Sequence, residues 1–230
     1  MTKNDYVIIC GDFGGIWSLG VSNKEEEYWL NWLSKKQFTI LFVDGNHENF
    51  DRLKEFPRVN FCGGKAHKIR DNIYHLMRGY IFELEGKKFF TFGGARSHDI
   101  DDGILDPNDF ADNDDFYRTF LDWKRKNKIF RINHLSWWAE ELPSTYEMKR
   151  GIENLKKVNF EVDYVISHCL PLNVISSLYK DSSDKLTKYF DKLVFGYGLK
   201  FKQWHAGHYH TEKRIYCQYD IHYKKIVRLL

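Results

Sequence analysis

Phe38-Thr39-Ile40-Leu41-Phe42-Val43-Asp44-Gly45-Asn46-His47-Glu48 is the stretch on which the reading of this 230-residue chain turns. Its first six residues form an apolar run rich in aromatic and β-branched side chains, the composition of a buried strand. The next five place an amide, an imidazole and two carboxylates at the strand's C-terminal end. Open α/β sheets bind ligands outside the carboxyl ends of their strands, so chemistry is expected here. Taken alone, Gly45-Asn46 reads as a turn, because both residues tolerate the backbone angles turns require. A functional reading needs other strands that end in groups of the same kind.

Working outward, Tyr6-Val7-Ile8-Ile9-Cys10 reads as a strand buried on both faces, closed by Gly11-Asp12-Phe13-Gly14-Gly15. Ser22 and Glu25 have capping-box spacing, and Lys24 to Lys36 carries Tyr28, Trp29, Trp32 and Leu33 on one helical stripe, expected to face the core. Strand, helix and strand make a right-handed βαβ unit with parallel strands, whose C-terminal ends share one edge. Asp12 and Asn46 should therefore converge.

Asn49 to Phe56 reads as a short helix stopped by Pro57. Ile73–Leu76, Tyr80–Leu84 and Lys88–Phe92 read as strands of an antiparallel part of the sheet system, with Glu85-Gly86-Lys87 as a hairpin turn. Arg96 and His98 lie in the loop that follows, with no role assigned. A helix should start near Asp114 and end in a basic turn, and His134, Trp137 and Trp138 read as a helix packed on the sheet. Ser144 and Glu147 form a second capping box. Val162–Ser167 is the next buried strand, with His168 at its end. A polar helix covers Ser183–Leu193, Lys202–Ala206 leads into Gly207-His208-Tyr209-His210, and two antiparallel strands, Arg214–Tyr219 and Ile221–Leu229, close the chain.

The composition is globular, with 43% hydrophobic, 17% aromatic and 29% charged residues, and the length suits one domain over residues 1–230. A net charge of +3, from 35 basic against 32 acidic side chains, indicates neither nucleic acid nor an anionic membrane as partner. Cys10, Cys62, Cys169 and Cys217 are scattered, with no Cys-x-x-Cys pair, and the first residues show no charged n-region followed by an apolar h-region, a pattern from which reduced thiols and a cytoplasmic protein are expected. No apolar run approaches the ~20 residues of a membrane span. The acidic segment Asp99–Asp115 lacks the ligand spacing of a calcium loop and reads as solvated surface.

Asp12, Asn46, His168, His208 and His210 each follow an apolar run. Oxygen and nitrogen donors of this mixture suit divalent Mn, Fe or Zn, and the lack of nearby thiols argues against a Cys-type zinc site. The elements Gly11-Asp12, Gly45-Asn46-His47-Glu48, Ser167-His168 and Gly207-His208-Tyr209-His210, in this order, resemble the calcineurin-like metallophosphoesterases. That resemblance implies a four-layer αββα sandwich of two mixed sheets flanked by helices, a two-metal centre at the strand edge, and hydrolysis of a phosphomonoester or phosphodiester. It implies that Asp12 bridges the metals, that Asn46, His168 and His208 complete one site and His210 serves the other, and that His47 is the catalytic side chain on the leaving-group side.

Two departures accompany it. No Asp-x-His motif precedes Asp12, so one metal site should be depleted, hydrolysis weak, and the first strand–helix unit of the family absent. Gly15 stands where many members carry an aspartate that orients the motif histidine. Asp220-Ile221-His222 is literally Asp-x-His, but no Gly-rich turn follows it, and it reads as chance alternation in a strand. The alternative to a phosphoesterase is a non-catalytic metal-binding or scaffold protein of the same fold.

Overall fold

The computed structural model describes residues 1–176, 178–179 and 183–229. Two mixed sheets face one another. The first has the order β1-β2-β5-β4-β3, built from β1 (Tyr6–Cys10), β2 (Thr39–Val43), β3 (Arg58–Phe61), β4 (Gly64–Arg70) and β5 (Ile73–Leu76). The second has the order β12-β13-β11-β10-β7-β6, built from β6 (Tyr80–Leu84), β7 (Lys87–Phe92), β10 (Tyr164–Ser167), β11 (Gln203–Ala206), β12 (Lys213–Ile215) and β13 (Tyr219–Ile221). A small parallel pair, β8 (Gly103–Leu105) and β9 (Phe130–Ile132), stands apart.

Period-2 alternation sends one set of side chains between the sheets and the other toward helices. Leu41, Val43, Ala66 and Leu76 of the first sheet meet Phe82, Leu84, Phe89 and Ile166 of the second. On the outer face of the first sheet, Ile40, Phe42 and Ile73 pack against Leu30 of α1 (Lys24–Ser34) and Phe50 and Leu53 of α2 (Phe50–Glu55). On the outer face of the second, Phe90, Phe92, Val165 and Trp204 pack against Leu155 of α4 (Thr145–Lys156) and Leu186 and Phe190 of α6 (Lys185–Asp191). These are the four αββα layers that the resemblance implies. Two further helices, α3 (Asn113–Arg125) and the single-turn α5 (Leu172–Ile175), lie between these elements in the chain.

The βαβ unit forms as read, with β1 and β2 parallel and Cys10 opposite Val43. β10 is parallel to both β7 and β11, so Ser167 and Ala206 end on one edge of the second sheet. The two edges meet where the Gly94 amide donates to the Asp44 carbonyl at 2.8 Å. A Cβ on Gly93 would sit 2.4 Å from the same carbonyl, so the seam closes only around glycine.

Several expectations need correction. β1 is an edge strand, its Tyr6 exposed and its other residues half-buried, and not a strand covered on both faces. The cap of α1 is Asn23, whose side chain accepts from the Glu26 amide, in place of a Ser22/Glu25 box. The aromatic stripe of α1 points outward, with Tyr28, Trp29 and Trp32 exposed, while Glu26 and Leu30 face inward. β5 joins the first sheet parallel to β2, whereas β6 and β7 form an antiparallel hairpin in the second. His134 lies in a left-handed turn at φ 55° and not in a helix; its Nδ1 is 2.7 Å from Asp51 Oδ2, to which the buried Trp138 donates. The closing strands are short, with the turn at Tyr216-Cys217, and residues 222–229 are not strand. No helix among the described residues is long and apolar enough to cross a membrane.

Candidate metal centre

The seam between the two sheet edges gathers Asp12 after β1, Asn46 after β2, His168 after β10 and His208 after β11. Asp12 takes a left-handed conformation, φ 53°, which turns its carboxylate back across the strand ends. There Oδ1 accepts from the His47 amide at 3.0 Å, and Oδ2 lies 3.2 Å from His168 Nε2. Two glycines make this approach possible. A Cβ on Gly45 would lie 1.9 Å from Asp12 Oδ1, and one on Gly11 would lie 2.1 Å from His168 Nδ1.

His168 Nδ1 donates to the Cys10 carbonyl at 2.6 Å, which leaves Nε2 as the nitrogen with the lone pair. That Nε2 is buried and makes no hydrogen bond among the described residues. Asn46 shows the same pattern: Nδ2 donates to Ser97 Oγ at 3.3 Å, which orients the amide, while Oδ1 is buried without a donor. Ser97 is itself held by Glu141, through its amide at 3.1 Å and its hydroxyl at 2.5 Å. Burial pushes the Glu141 carboxyl up, against the hydrogen bonds from Ser97. Burial alone would raise Asp12; a proton on His168 Nε2, 3.2 Å from Oδ2, together with the His47 amide holds the carboxyl below its ordinary range, and in the neutral tautomer a cation between the two atoms would take that proton's place. Asp12 and His168 therefore present a carboxylate and an imidazole nitrogen to one space, with the unpaired Asn46 amide oxygen on the adjoining turn, groups of the kind that hold a divalent cation.

His208 is also left-handed, φ 64°, and its ring lies 5.0 Å from that of His168. Burial, then the neighbouring His168 and His98, push its imidazole well below the ordinary histidine range and keep it neutral, as a ligand must be. Its Nε2 is 3.0 Å from His98 Nε2. His47 is half-buried at the rim and its pKa is lowered, by burial first and against the pull of Asp12. Asp99, paired with Arg131, and Arg131 itself act on His47 with opposite signs.

Of the residues singled out in the sequence, Asp12, Asn46, His47, His168 and His208 come together. His210 does not: it is exposed and stacks on Tyr223, with ring centroids 5.2 Å apart. Three further residues had no role assigned from the sequence. His98, beside His208, lies in the loop that follows β7, where a strand-end search could have found it. Ser97 lies in the same loop and Glu141 in a 3-10 turn at Ala139–Glu141, and no sequence pattern connects them. Glu48, part of the quoted motif, is fully buried and accepts from the Phe13 amide at 2.9 Å, pinning the loop behind Asp12. Burial raises its carboxyl well above the ordinary range. A cavity of about 330 Å³ opens beside His208 and His98, with Arg96 on its wall.

A family model for calcineurin-like phosphoesterases matches residues 2–212. The chain belongs to that family, whose members are metal-dependent hydrolases of phosphoester bonds. No curated protein and no solved structure matches it.

Proposed function

We propose that this chain hydrolyses a phosphomonoester or phosphodiester at the Asp12 seam, with a divalent metal held by Asp12, Asn46, His168 and His208. The observation that carries the proposal is His168 Nε2 standing 3.2 Å from Asp12 Oδ2, with the buried, unpaired Asn46 Oδ1 on the turn whose His47 amide binds the other Asp12 oxygen. Buried acceptors are left unpaired at a cost of about 1–3 kcal/mol each, so a shared cationic ligand accounts for both. When bound, a divalent ion supplies Lewis-acid polarisation of the phosphoryl oxygens and a water of lowered pKa.

The protein's own groups do the rest. The Cys10 carbonyl fixes the His168 tautomer, and Ser97 holds the Asn46 amide nitrogen while its oxygen stays unpaired. His47, carried on the same turn as Asn46, stands on the leaving-group side, where its N–H can hydrogen-bond the departing oxygen. The cavity beside His208 takes the ester, and the Arg96 guanidinium on its wall suits a phosphate. With His210 stacked on Tyr223, a second ion has few donors, so the metal clamp is lopsided and turnover slow.

The test is hydrolysis of p-nitrophenyl phosphate and its bis-ester with added Mn²⁺, in parallel with bound-metal content. His47→Ala should lower kcat by 10²-fold or more with metal content unchanged. Bound metal without turnover above the His47→Ala variant, on both esters, would identify a metal-binding scaffold instead.

A further inference from the structure

We propose a second divalent-metal site, distinct from the seam, made by His205 of β11 with Asp220 and His222 of β13 and its end. β11 and β13 run parallel with His205 opposite Asp220, and the His222 amide donates to the Ala206 carbonyl, so the strand register brings the three side chains together. Their candidate ligand atoms all lie within 4.8 Å of one another. His205 Nδ1 is 2.9 Å from His222 Nε2 and 3.8 Å from Asp220 Oδ2. Ligands at tetrahedral angles around a zinc-sized ion stand roughly 3.3 Å apart, between these two separations. None of the three residues belongs to the Asp12 cluster.

The surroundings are those of a binding site. His205 is almost fully buried and turns Nδ1 toward His222 and Asp220, while among the described residues its Nε2 has no hydrogen-bond partner. Burial pushes His205 down to about 4 and lowers His222 as well, so both rings offer lone pairs at neutral pH. Asp220 is held by Gln203, whose Nε2 is 2.9 Å from Oδ2, and by a bidentate pair with Arg214, Nε 2.6 Å from Oδ1 and Nη2 2.9 Å from Oδ2. Such outer contacts orient a ligating carboxylate. Arg214 competes with a cation for both carboxylate oxygens, and since its side chain is 64% exposed, water can solvate the guanidinium that an ion displaces. All three residues line a cavity of about 430 Å³, which leaves room for a fourth ligand. Two imidazoles and a carboxylate with an open position suit Zn²⁺ or Fe²⁺ and not Ca²⁺ or Mg²⁺.

Zinc stoichiometry by isothermal titration calorimetry tests the site in wild type, His222→Gln and His168→Ala. Each variant should lose one equivalent of Zn²⁺, and the double variant two. Retention of the wild-type stoichiometry by folded His222→Gln overturns the proposal. A readout that needs no variant is the imidazole NMR spectrum of the wild-type chain. One equivalent of Zn²⁺ beyond the first should shift the His205 and His222 signals, and signals that stay in place under excess Zn²⁺ overturn the site equally.

Discussion

Gly45 bears on the seam through an atom it lacks. In Gly45→Ala the new methyl would fall 1.9 Å from Asp12 Oδ1 and 2.6 Å from the Asp12 backbone nitrogen, and the second of these cannot swing aside. We expect a loss of about 1–3 kcal/mol in urea unfolding, together with at least a tenfold fall in Mn²⁺ affinity as the carboxylate is displaced. Unchanged affinity would mean that Asp12 is not a ligand. His67 makes a different residue-scale prediction. It is buried, its Nδ1 3.0 Å from His75 Nδ1, and burial and then His75 push its pKa down to about 3. Because the folded value is depressed, the unfolded chain takes up the proton first: stability is intact above pH ~6.5 and is lost as pH falls toward 3, by about 1.4 kcal/mol per pH unit at most. His67→Gln should flatten the stability profile between pH 6.5 and 5, read by urea unfolding; an unchanged slope would rule out His67 as its source.

Helix α1 shows how far periodicity reaches at the scale of an element. Two stripes satisfy its helical spacing, one with Tyr28, Trp29 and Trp32, the other with Glu26 and Leu30, and only packing decides between them. The polar stripe wins because Glu26 has dedicated partners: the amides of Trp17 and Ser18 at 3.1 and 2.8 Å, and Arg52 of α2 at 2.9 Å. Arg52→Ala leaves that carboxylate buried without its cation and should cost about 3–5 kcal/mol in chemical denaturation. Trp29→Ser, on a side chain 49% exposed, should change stability by less than about 0.5 kcal/mol. Comparable losses in the two variants would contradict the assigned orientation of the helix. The missed strands have a similar cause. β4, Gly-Lys-Ala-His-Lys-Ile-Arg, buries His67 where alternation looks for an apolar side chain, and the hydrogen bond that makes the imidazole acceptable comes from another strand. β1 misled in the opposite sense, since its five consecutive β-favouring residues suggest a covered strand and the register places it at an edge.

Across the whole molecule, the strand ends were the legible part. Apolar runs that stop at Asp12, Asn46, His168 and His208 placed four groups on one seam because parallel strands share their C-terminal edge. The supporting contacts behind Asn46 were not legible: Ser97 comes from a loop and Glu141 from a short 3-10 turn, and their meeting depends on both sheets. His210 followed the same sequence rule as the others and nonetheless turns away to Tyr223. Metal binding at the seam is most directly measured by calorimetric titration of Mn²⁺ into His222→Gln, which lacks the second proposed site, with and without His168→Ala. One ion per chain that disappears with His168→Ala is the predicted result, and equal stoichiometry in the two proteins would contradict a metal centre at Asp12.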